Sequence, residues 1–210
     1  MCRPIFASLY DRIMAPLETA DLSERRRILL SSVSSPVLEI GAGTGANLSH
    51  YGSGIKLVAS EPEPAMLAQY RGKSGILPHV LLLFSRAEAI PFPAETFETV
   101  VSTLVLCSVC DPEVAMQEIH RVLRRDGRLI FIEHIRGEGR RGRWQDRIEF
   151  VWSKLSGGCH PNRQTLALIE KAGFHLEELK PFDPSRGSRR LVRWACQPVL
   201  PFVSGQARRV

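Results

Sequence analysis

A glycine loop directly after a short apolar run is the feature that most constrains this chain. The run covers residues 36–40 and holds one carboxylate, Glu39, and it is followed by Gly41, Gly43 and Gly45. A short apolar run of this kind predicts a buried parallel strand, and glycines remove side chains where a ligand must approach the backbone closely. The sequence therefore predicts a nucleoside-cofactor site at the end of this strand.

The loop by itself leaves the identity of the cofactor open. Gly41, Gly43 and Ala46 also fit the G-x-G-x-x-G/A pattern of dinucleotide-binding proteins. Glu61 ends a second apolar run, 16 residues after the last loop glycine, and its carboxylate can accept hydrogen bonds from both hydroxyls of a ribose. Pro62 helps to keep Glu61 outside the helix that follows. A nicotinamide-dependent oxidoreductase is therefore one of the alternatives at this point, and a non-catalytic cofactor-binding protein is another.

Apolar runs alternate with helical patterns along the chain. Strands are predicted at residues 36–40, 55–59, 79–84, 98–104, 127–133, 174–180 and 190–196. Helices are predicted at residues 64–71, 112–124 and 162–172. Because strands and helices alternate, we expect an α/β fold whose seven-stranded, mostly parallel sheet is covered by helices on both faces.

A chain of 210 residues is long enough for one well-buried domain, and we expect one domain overall. Residues 1–35 are predicted to form an N-terminal helical cap, with Ile5, Leu9, Ile13 and Leu17 on one helical face. Residues 36–196 are predicted to form the main domain. We expect residues 197–210, which contain prolines, a glycine and two terminal arginines, to be a frayed tail.

The segment at residues 135–161 is predicted to be an insertion that forms a lid over the substrate. Trp144, Ile148, Val151, Trp152 and Leu155 fall at helical spacing within it. The alternative is that this amphipathic helix packs onto the parent domain.

Composition and charge limit the partners of this chain. It has no run of 18 apolar residues and no leader-like N-terminus, so we expect a cytoplasmic protein. Because it has five cysteines, an odd number, we expect reduced thiols rather than a set of disulfides. Residues 1–120 carry a net charge of −4 and residues 121–210 carry +10. The basic half permits peripheral contact with a phospholipid surface, whereas the absence of an aromatic-interleaved basic motif argues against nucleic acid. The oligomeric state is open.

Four motifs, in order, resemble those of the class I S-adenosylmethionine-dependent methyltransferases. They are VLEIGAGTG at 37–45, EPEPAML at 61–67, AEAIPF at 87–92 and EIHRVLRRDGRL at 118–129. Three further segments are similar to the branch that includes alkyl thiol methyltransferases: TLVLCSV at 103–109, FIEH at 131–134 and GGCH at 157–160. The resemblance implies a Rossmann-like fold, a last strand that is antiparallel, and methyl transfer from S-adenosylmethionine, which leaves S-adenosylhomocysteine.

The resemblance also implies a set of cofactor-binding residues. Those expected to contact the cofactor are Glu39, Gly41, Ala42, Gly43, Gly45, Glu61, Pro62, Met66, Ala87, Glu88, Thr103 and Leu104. Glu39 would orient the ammonium group, Glu61 would hold the ribose, and Ala87 with Glu88 would meet the adenine edge. Many relatives carry Asp where this chain has Arg86, so the usual side-chain acceptor for the adenine amino group is missing.

Methyl transfer from a sulfonium is an in-line displacement that needs alignment of the nucleophile and exclusion of water, and we expect no metal. The expected acceptor is small and apolar, such as a thiol, a phenol or a quinone-like ring; a phospholipid or another amine is the alternative. Because a thiol or phenol must lose a proton, His134 is the first candidate for a general base and His160 the second. A purely structural role for His134 is the alternative.

Cys107 and Cys110 spell C-x-x-C, a pattern that also occurs in zinc and redox sites, but neither function is favoured in this position.

Overall fold

The computed structural model describes residues 4–74 and 79–210. Its seven strands are β1 (Val37–Ile40), β2 (Leu57–Ser60), β3 (Val80–Leu83), β4 (Phe97–Thr103), β5 (Leu123–His134), β6 (Phe174–Phe182) and β7 (Phe202–Arg209). They form one sheet in the order β3-β2-β1-β4-β5-β7-β6. The first five strands pair in parallel, whereas β7 is antiparallel to both β5 and β6. The predicted α/β architecture with an antiparallel last strand is confirmed.

The described residues also form seven α-helices. They are α1 (Pro4–Leu17), α2 (Ser23–Leu30), α3 (Pro64–Ser74), α4 (Pro112–Val122), α5 (Gly139–Leu155), α6 (Thr165–Lys171) and α7 (Arg190–Ala195). A π-helical turn at Glu18–Leu22 joins α1 to α2, and 3-10 turns occupy Leu48–His50 and Gln197–Val199. No helix in the described residues combines the length and the apolar character needed to cross a bilayer.

The boundaries of α4 show how local sequence sets an element. Asp111 caps the helix, because its carboxylate accepts hydrogen bonds from the backbone N–H groups of Glu113 and Val114, each at 3.1 Å. Pro112 occupies the first helical position, where its missing N–H costs nothing. The helix ends at Val122, two residues earlier than predicted, because β5 begins at Leu123.

The sheet is buried on both faces. Phe131 of β5 packs in one cluster with residues of α4 and α6, whereas its neighbour Ile130 packs in a second cluster with Leu30 of α2. Successive side chains of a strand point to opposite faces, so this division places helices on both sides of the sheet. The prediction that helices cover both faces is confirmed.

The C-terminal region differs from two predictions. Residues 190–196, predicted as a strand, form the helix α7, and residues 197–210, predicted as a frayed tail, contain β7. Because β7 lies between β5 and β6, its residues Phe202–Gly205 are all buried and do not show the apolar–polar alternation of an edge strand. The main sheet therefore extends to residue 209, beyond the predicted boundary at residue 196.

The N-terminal cap is helical as predicted, but its predicted apolar face is partly wrong. Leu9 and Ile13 are exposed, whereas Ala7 and Leu17 are buried; the side chain of Ile5 lies outside the described part of the chain. The helix therefore turns a different side toward the protein interior than the one predicted.

Candidate active site

The glycine loop leaves its backbone open at the carboxyl end of β1. Gly41, Gly43 and Gly45 have φ of 54°, 57° and 86°, in the left-handed region that favours glycine. A Cβ added at Gly43 would meet only the carbonyl oxygen of Gly41, at 3.9 Å, whereas one added at Gly41 would lie 2.6 Å from the side chain of Val105. The loop is thus packed against the β4–α4 connection on one side and open at Gly43.

Glu61 lies beside this loop, at the end of β2. Its Oε2 accepts a hydrogen bond from the backbone N–H of Gly43 at 2.8 Å, and its Oε1 accepts one from the N–H of Glu63 at 2.9 Å. Burial raises the pKa of this carboxyl, and the two backbone N–H groups act in the opposite direction. The structure therefore brings together the loop and the carboxylate that the sequence placed 16 residues apart.

A buried polar network holds Glu39 behind the loop. Its Oε1 accepts a hydrogen bond from Asn47 Nδ2 at 2.8 Å, while Oε2 is buried without a partner among the described residues. Asn47 also accepts from Arg26 Nη1 at 2.6 Å, and Thr103 Oγ1 accepts from both Arg26 and Asn47. Burial raises the pKa of Glu39 to about 7, although Asn47 and Arg26 lower it.

Arg26 is the residue of this network that the sequence interpretation missed. The sequence predicts a solvated helix face at Arg25–Arg27, but Arg26 is only 3% exposed. Its guanidinium is paired with Glu18 at 2.9 Å and donates hydrogen bonds to Asn47 and Thr103. No local pattern distinguishes it from its two arginine neighbours, so only the packing of α2 against the sheet reveals its position.

The first helix also reaches the site. Asp11 accepts a hydrogen bond from Thr44 of the glycine loop at 2.5 Å and pairs with Lys73 of α3 at 2.6 Å. Tyr10 is half-buried, and desolvation of its phenol raises its pKa to about 12; Arg26 and Cys107 are among the charged or ionisable groups that act on it. The N-terminal helices therefore contact the glycine loop, and a cap over the cofactor stays a prediction.

A cysteine–histidine group lies where β4 and β5 end. His134 Nε2 is 3.0 Å from Cys159 Sγ, and donor atoms of Cys107, His134 and Cys159 all lie within 4.8 Å of one another. A hydrogen bond from Cys107, together with the nearby His134, lowers the pKa of the Cys159 thiol to about 4. The pKa of Cys107 is correspondingly raised. The indole nitrogen of Trp152 lies beside Cys159, although it makes no hydrogen bond of regular geometry.

The spacing within this group is that of a hydrogen bond. Ligands of a tetrahedral zinc ion, about 2.0 Å from the metal for nitrogen and about 2.3 Å for sulfur, would be about 3.5 Å apart. The 3.0 Å separation between His134 and Cys159 is shorter than this. Cys110, the second cysteine of the C-x-x-C pattern, is exposed and does not belong to the group. A metal-free site therefore stays our prediction.

A second buried carboxylate fixes the segment that carries Cys107. Glu133 of β5 accepts hydrogen bonds from Ser102 Oγ at 2.8 Å and from the backbone N–H groups of Val105 and Leu106, both at 3.0 Å. Leu104, at φ 61°, donates its own N–H to Ile132. These bonds tie the end of β4 to the end of β5 and thereby set the position of the cysteine–histidine group.

His160 and Arg163 lie on the segment after α5 and join it to the same region. His160 Nδ1 is 2.5 Å from Glu149 Oε1, and its backbone N–H donates to the carbonyl of Cys107 at 2.9 Å. Arg163 donates to the carbonyl oxygens of Leu106 and Val109 at 2.7 and 2.6 Å. The two histidines proposed from sequence thus lie in one region but have different partners.

The residues expected near adenine are arranged less clearly. Ala87 and Met66 are buried, whereas Pro62 and Arg86 are exposed. The Oε1 atom of Glu88 accepts hydrogen bonds from the backbone N–H groups of Cys110 and Asp111, at 2.7 and 3.2 Å. The side chain of Glu88 is therefore already engaged at the start of α4.

The predicted lid is a helix, α5, but most of its apolar residues do not face the site. Trp144, Val151 and Leu155 are exposed, and only Trp152 lies beside the cysteine–histidine group. The inner side of the helix is instead held by Gln145. The structure packs one side of α5 onto the parent domain and leaves another side exposed, and a lid over the substrate stays a prediction.

Comparison with known proteins shows the family to which this chain belongs. Residues 38–131 match the family model of a methyltransferase domain. The chain is 31% identical to thiol S-methyltransferase TMT1B of Rattus norvegicus, over 98% of this chain and 88% of that protein. It is 33% identical to phosphatidylethanolamine N-methyltransferase of Cereibacter sphaeroides, over 53% of this chain and 58% of that protein.

A solved structure agrees with these sequence relationships. An S-adenosylmethionine-dependent methyltransferase from Thermotoga maritima superimposes with a TM-score of 0.70, at 25% identity, over 99% of this chain and 98% of that one. The nicotinamide-dependent alternative that the loop pattern left open is not supported by any of these relationships. With its glycine loop, its strand-end carboxylates and its relatives, the chain belongs to the class I S-adenosylmethionine-dependent methyltransferases.

Proposed function

We propose that this methyltransferase moves the methyl group of S-adenosylmethionine to the sulfur of a small, apolar thiol. The observation that carries the proposal is the pairing of His134 with Cys159 at 3.0 Å, in a group with Cys107. The Cys107 thiol donates to the carbonyl oxygen of Leu104, a residue expected to contact the cofactor. The similarity to thiol S-methyltransferases over 98% of the chain supports a thiol acceptor.

The cofactor is proposed to lie across the carboxyl ends of β1, β2 and β4. The open backbone from Gly41 to Gly45 would contact its methionine part, and Glu39 would orient the ammonium group through the loop. Glu61 would exchange its hydrogen bond with Gly43 for the ribose hydroxyls. Pro62 and Met66 would flank the nucleoside.

The remaining proposed contacts, with the adenine and the sulfonium, lie in the segment between β3 and β4 and at the end of β4. Because the Glu88 carboxylate is engaged by Cys110 and Asp111, we assign contact with the adenine edge to the backbone of Ala87 and Glu88. Thr103 and Leu104 would lie beside the sulfonium, where Thr103 is held by Arg26.

The proposed reaction is an in-line displacement. A bond forms between the acceptor sulfur and the methyl carbon, the bond between that carbon and the sulfonium sulfur breaks, and S-adenosylhomocysteine leaves. The acceptor thiol would lose its proton to Nδ1 of His134, which is buried with no partner among the described residues. This role requires a neutral His134 that carries its proton on Nε2, 3.0 Å from Cys159 Sγ. His160, paired with Glu149, is the second candidate.

A second acceptor class has its own support. The similarity to phosphatidylethanolamine N-methyltransferase covers about half of the chain, and residues 121–210 carry a net charge of +10, which attracts anionic lipid surfaces. An amine acceptor in a lipid is therefore the alternative to a thiol.

Incubation with methyl-labelled S-adenosylmethionine distinguishes these acceptors. The panel contains alkyl and aryl thiols, phenols, a quinol and vesicles of phosphatidylethanolamine. We expect labelled thioethers and one S-adenosylhomocysteine for each methyl transferred. Transfer to phosphatidylethanolamine alone would select the alternative, and binding of S-adenosylhomocysteine without transfer to any compound would contradict the proposed activity.

The substitution Gly43→Val tests the proposed cofactor position. A valine side chain would occupy the open space above Gly43, so we expect calorimetric binding of S-adenosylhomocysteine to weaken at least 100-fold. The positive φ adds about 1 to 3 kcal/mol of backbone strain, which should leave the protein folded. Gly54→Val is the control, because a Cβ there meets no atom within 4 Å. Retained affinity in Gly43→Val would contradict the assignment.

The raised pKa of Glu39 predicts how stability depends on pH. Because the folded-state pKa of about 7 lies above the ordinary value of 4.5, the folded protein holds a proton that the unfolded chain has lost between these values. The free energy of unfolding of the ligand-free protein should therefore fall as pH rises from about 4.5 to 7, by about 3 kcal/mol.

Urea unfolding of Glu39→Gln should lack this decrease, so that the variant becomes more stable than the wild type at pH 8 but not at pH 4. Glu138→Gln, at an exposed glutamate, serves as the control and should follow the wild-type curve. Parallel curves for the wild type and Glu39→Gln would show that Glu39 stays ionised in the folded protein.

The substitution His134→Ala tests the general base. For a weakly acidic acceptor such as an alkyl thiol or a phenol, kcat should fall about 100-fold, whereas for an acidic aryl thiol, already ionised in solution, it should fall only a few-fold. His175→Ala, at an exposed histidine of β6, is the control. An equal loss with both acceptors would assign His134 a structural role.

A further inference from the structure

The outer side of α5 carries an exposed apolar stripe. Trp144, Ile148, Val151 and Leu155 are spaced at i, i+4, i+7 and i+11, which places them on one side of a helix. Ile148 is half-buried, but Leu155 is 76% exposed, and Trp144 and Val151 are exposed as well. A stripe of this kind normally packs on a core, yet here it points away from the protein.

The inner side of α5 is fixed to the protein by a buried amide. Gln145 Nε2 donates to the carbonyl oxygens of Pro198 and Leu200, both at 3.0 Å, and its Oε1 accepts from the backbone N–H of Gly137 at 2.7 Å. Because these bonds hold the helix in this rotation, the stripe cannot turn inward without breaking them. Its exposure is therefore a property of the folded protein.

The helix α7 extends the same surface. Leu191 is 75% exposed and Trp194 is 73% exposed. Trp144 and Trp194 line one shallow cavity of about 390 Å³ together with Arg140 and Arg141, so α7 lies near the N-terminal end of α5. We call Trp144, Val151, Leu155, Leu191 and Trp194 the exposed apolar face.

Basic residues accompany this face along both helices. They are Arg140, Arg143, Arg147 and Lys154 on α5, and Arg190 and Arg193 on α7. Within residues 4–74 and 79–210, none of these six forms an ion pair with a carboxylate. Lys154 instead lies over the ring of Phe150, with Nζ 3.8 Å from its centroid. The face thus combines protruding tryptophan and leucine side chains with uncompensated positive charge.

These properties fit one kind of partner. Tryptophan and leucine side chains insert into the interface of a bilayer, and arginine and lysine side chains extend from apolar stems to reach phosphate groups. Anionic lipids attract such cations, at about 1 kcal/mol for each Lys or Arg near the surface. A second copy of the chain would instead bring the same arginines against each other across a twofold axis. A nucleic acid would leave the apolar side chains without a counterpart.

We propose that the exposed apolar face of α5 and α7 docks this methyltransferase onto an anionic phospholipid bilayer. The same helix α5 carries Glu149 and Trp152 to the region of His160 and Cys159. Docking would therefore bring the acceptor end of the sheet close to the membrane, from which an apolar acceptor can enter. The docking itself does not depend on which acceptor the enzyme methylates.

Vesicle flotation of the full chain tests this proposal. The probes are vesicles of phosphatidylcholine alone and of phosphatidylcholine mixed with phosphatidylglycerol. We expect binding to the mixed vesicles, a blue shift of tryptophan fluorescence on binding, and a marked loss of binding at high salt. Binding to neither type of vesicle, or equal binding to both, would overturn the proposal.

Matched variants locate the surface. Leu191→Ser with Trp194→Ser, and separately Arg190→Glu with Arg193→Glu, should each lower the partition coefficient at least about tenfold. The controls are Phe84→Ser, at an exposed phenylalanine after β3, and Arg125→Glu, at the opposite end of the strands; both should bind vesicles as the wild type does.

Two measurements on the same variants distinguish membrane docking from a loss of cofactor binding and from self-association. All variants should bind S-adenosylhomocysteine with wild-type affinity, so a failure of vesicle binding is distinguishable from a failure of the proposed methyl transfer. Sedimentation should show the same mass for the wild type and for the variant with Leu191→Ser and Trp194→Ser. A dimer that this variant dissociates would assign the face to contact between two copies and overturn membrane docking.

Discussion

Burial of a carboxylate at the end of β1 is the constraint on which the rest of the site depends. Glu39 cannot lie in the interior without hydrogen-bond partners, and these come from two different parts of the chain. Asn47 follows the glycine loop, and Arg26, which contacts Asn47, lies on the second N-terminal helix. The N-terminal helices are thereby held over the loop, next to Thr103 at the end of β4. One buried carboxyl group thus connects the cap, the loop and the strand that would carry the reacting atoms.

Carboxylates at the ends of β2 and β5 also accept hydrogen bonds, and they divide the site into two parts. Glu61 accepts backbone hydrogen bonds beside the loop, where a nucleoside can replace one of them. Glu133 accepts three hydrogen bonds from the β4 end and has no such opening, so its role is to fix the segment that carries Cys107. We therefore expect a ligand to exchange at Glu61, whereas the bonds of Glu133 hold the segment that carries Cys107 in place. This division suits an enzyme that releases its spent cofactor after each methyl transfer.

Local patterns are sufficient for the features that depend on consecutive residues. The loop at residues 41–45, the carboxylate of Glu61 and the cap of α4 at Asp111 could all be predicted, because each follows from its neighbours in sequence. The strand β7 could not be predicted, because Phe202–Arg209 contains a glycine and two arginines and lacks the continuous apolar run that marks the other buried strands. Residues 190–196 have the composition of a strand, but the chain reaches the sheet only after them.

The chemically important residues that the sequence does not reveal are those brought together from distant segments. Arg26 has the same local context as its exposed neighbours, and Tyr10 lies in a helix whose buried side differs from the predicted one. Cys159 and His134 belong to separate motifs, and their contact joins positions 25 residues apart. Such contacts depend on the packing of α2 and α5 against the ends of the strands, which no short pattern contains.

A crystal structure with S-adenosylhomocysteine tests the central claim most directly. The account predicts that both ribose hydroxyls bind the carboxylate of Glu61, that the homocysteine part lies over Gly43, and that the sulfur points toward the cysteine–histidine group at Cys159 and His134. A ribose bound elsewhere, with Glu61 still bonded to Gly43, would contradict it, as would a sulfur directed away from that group.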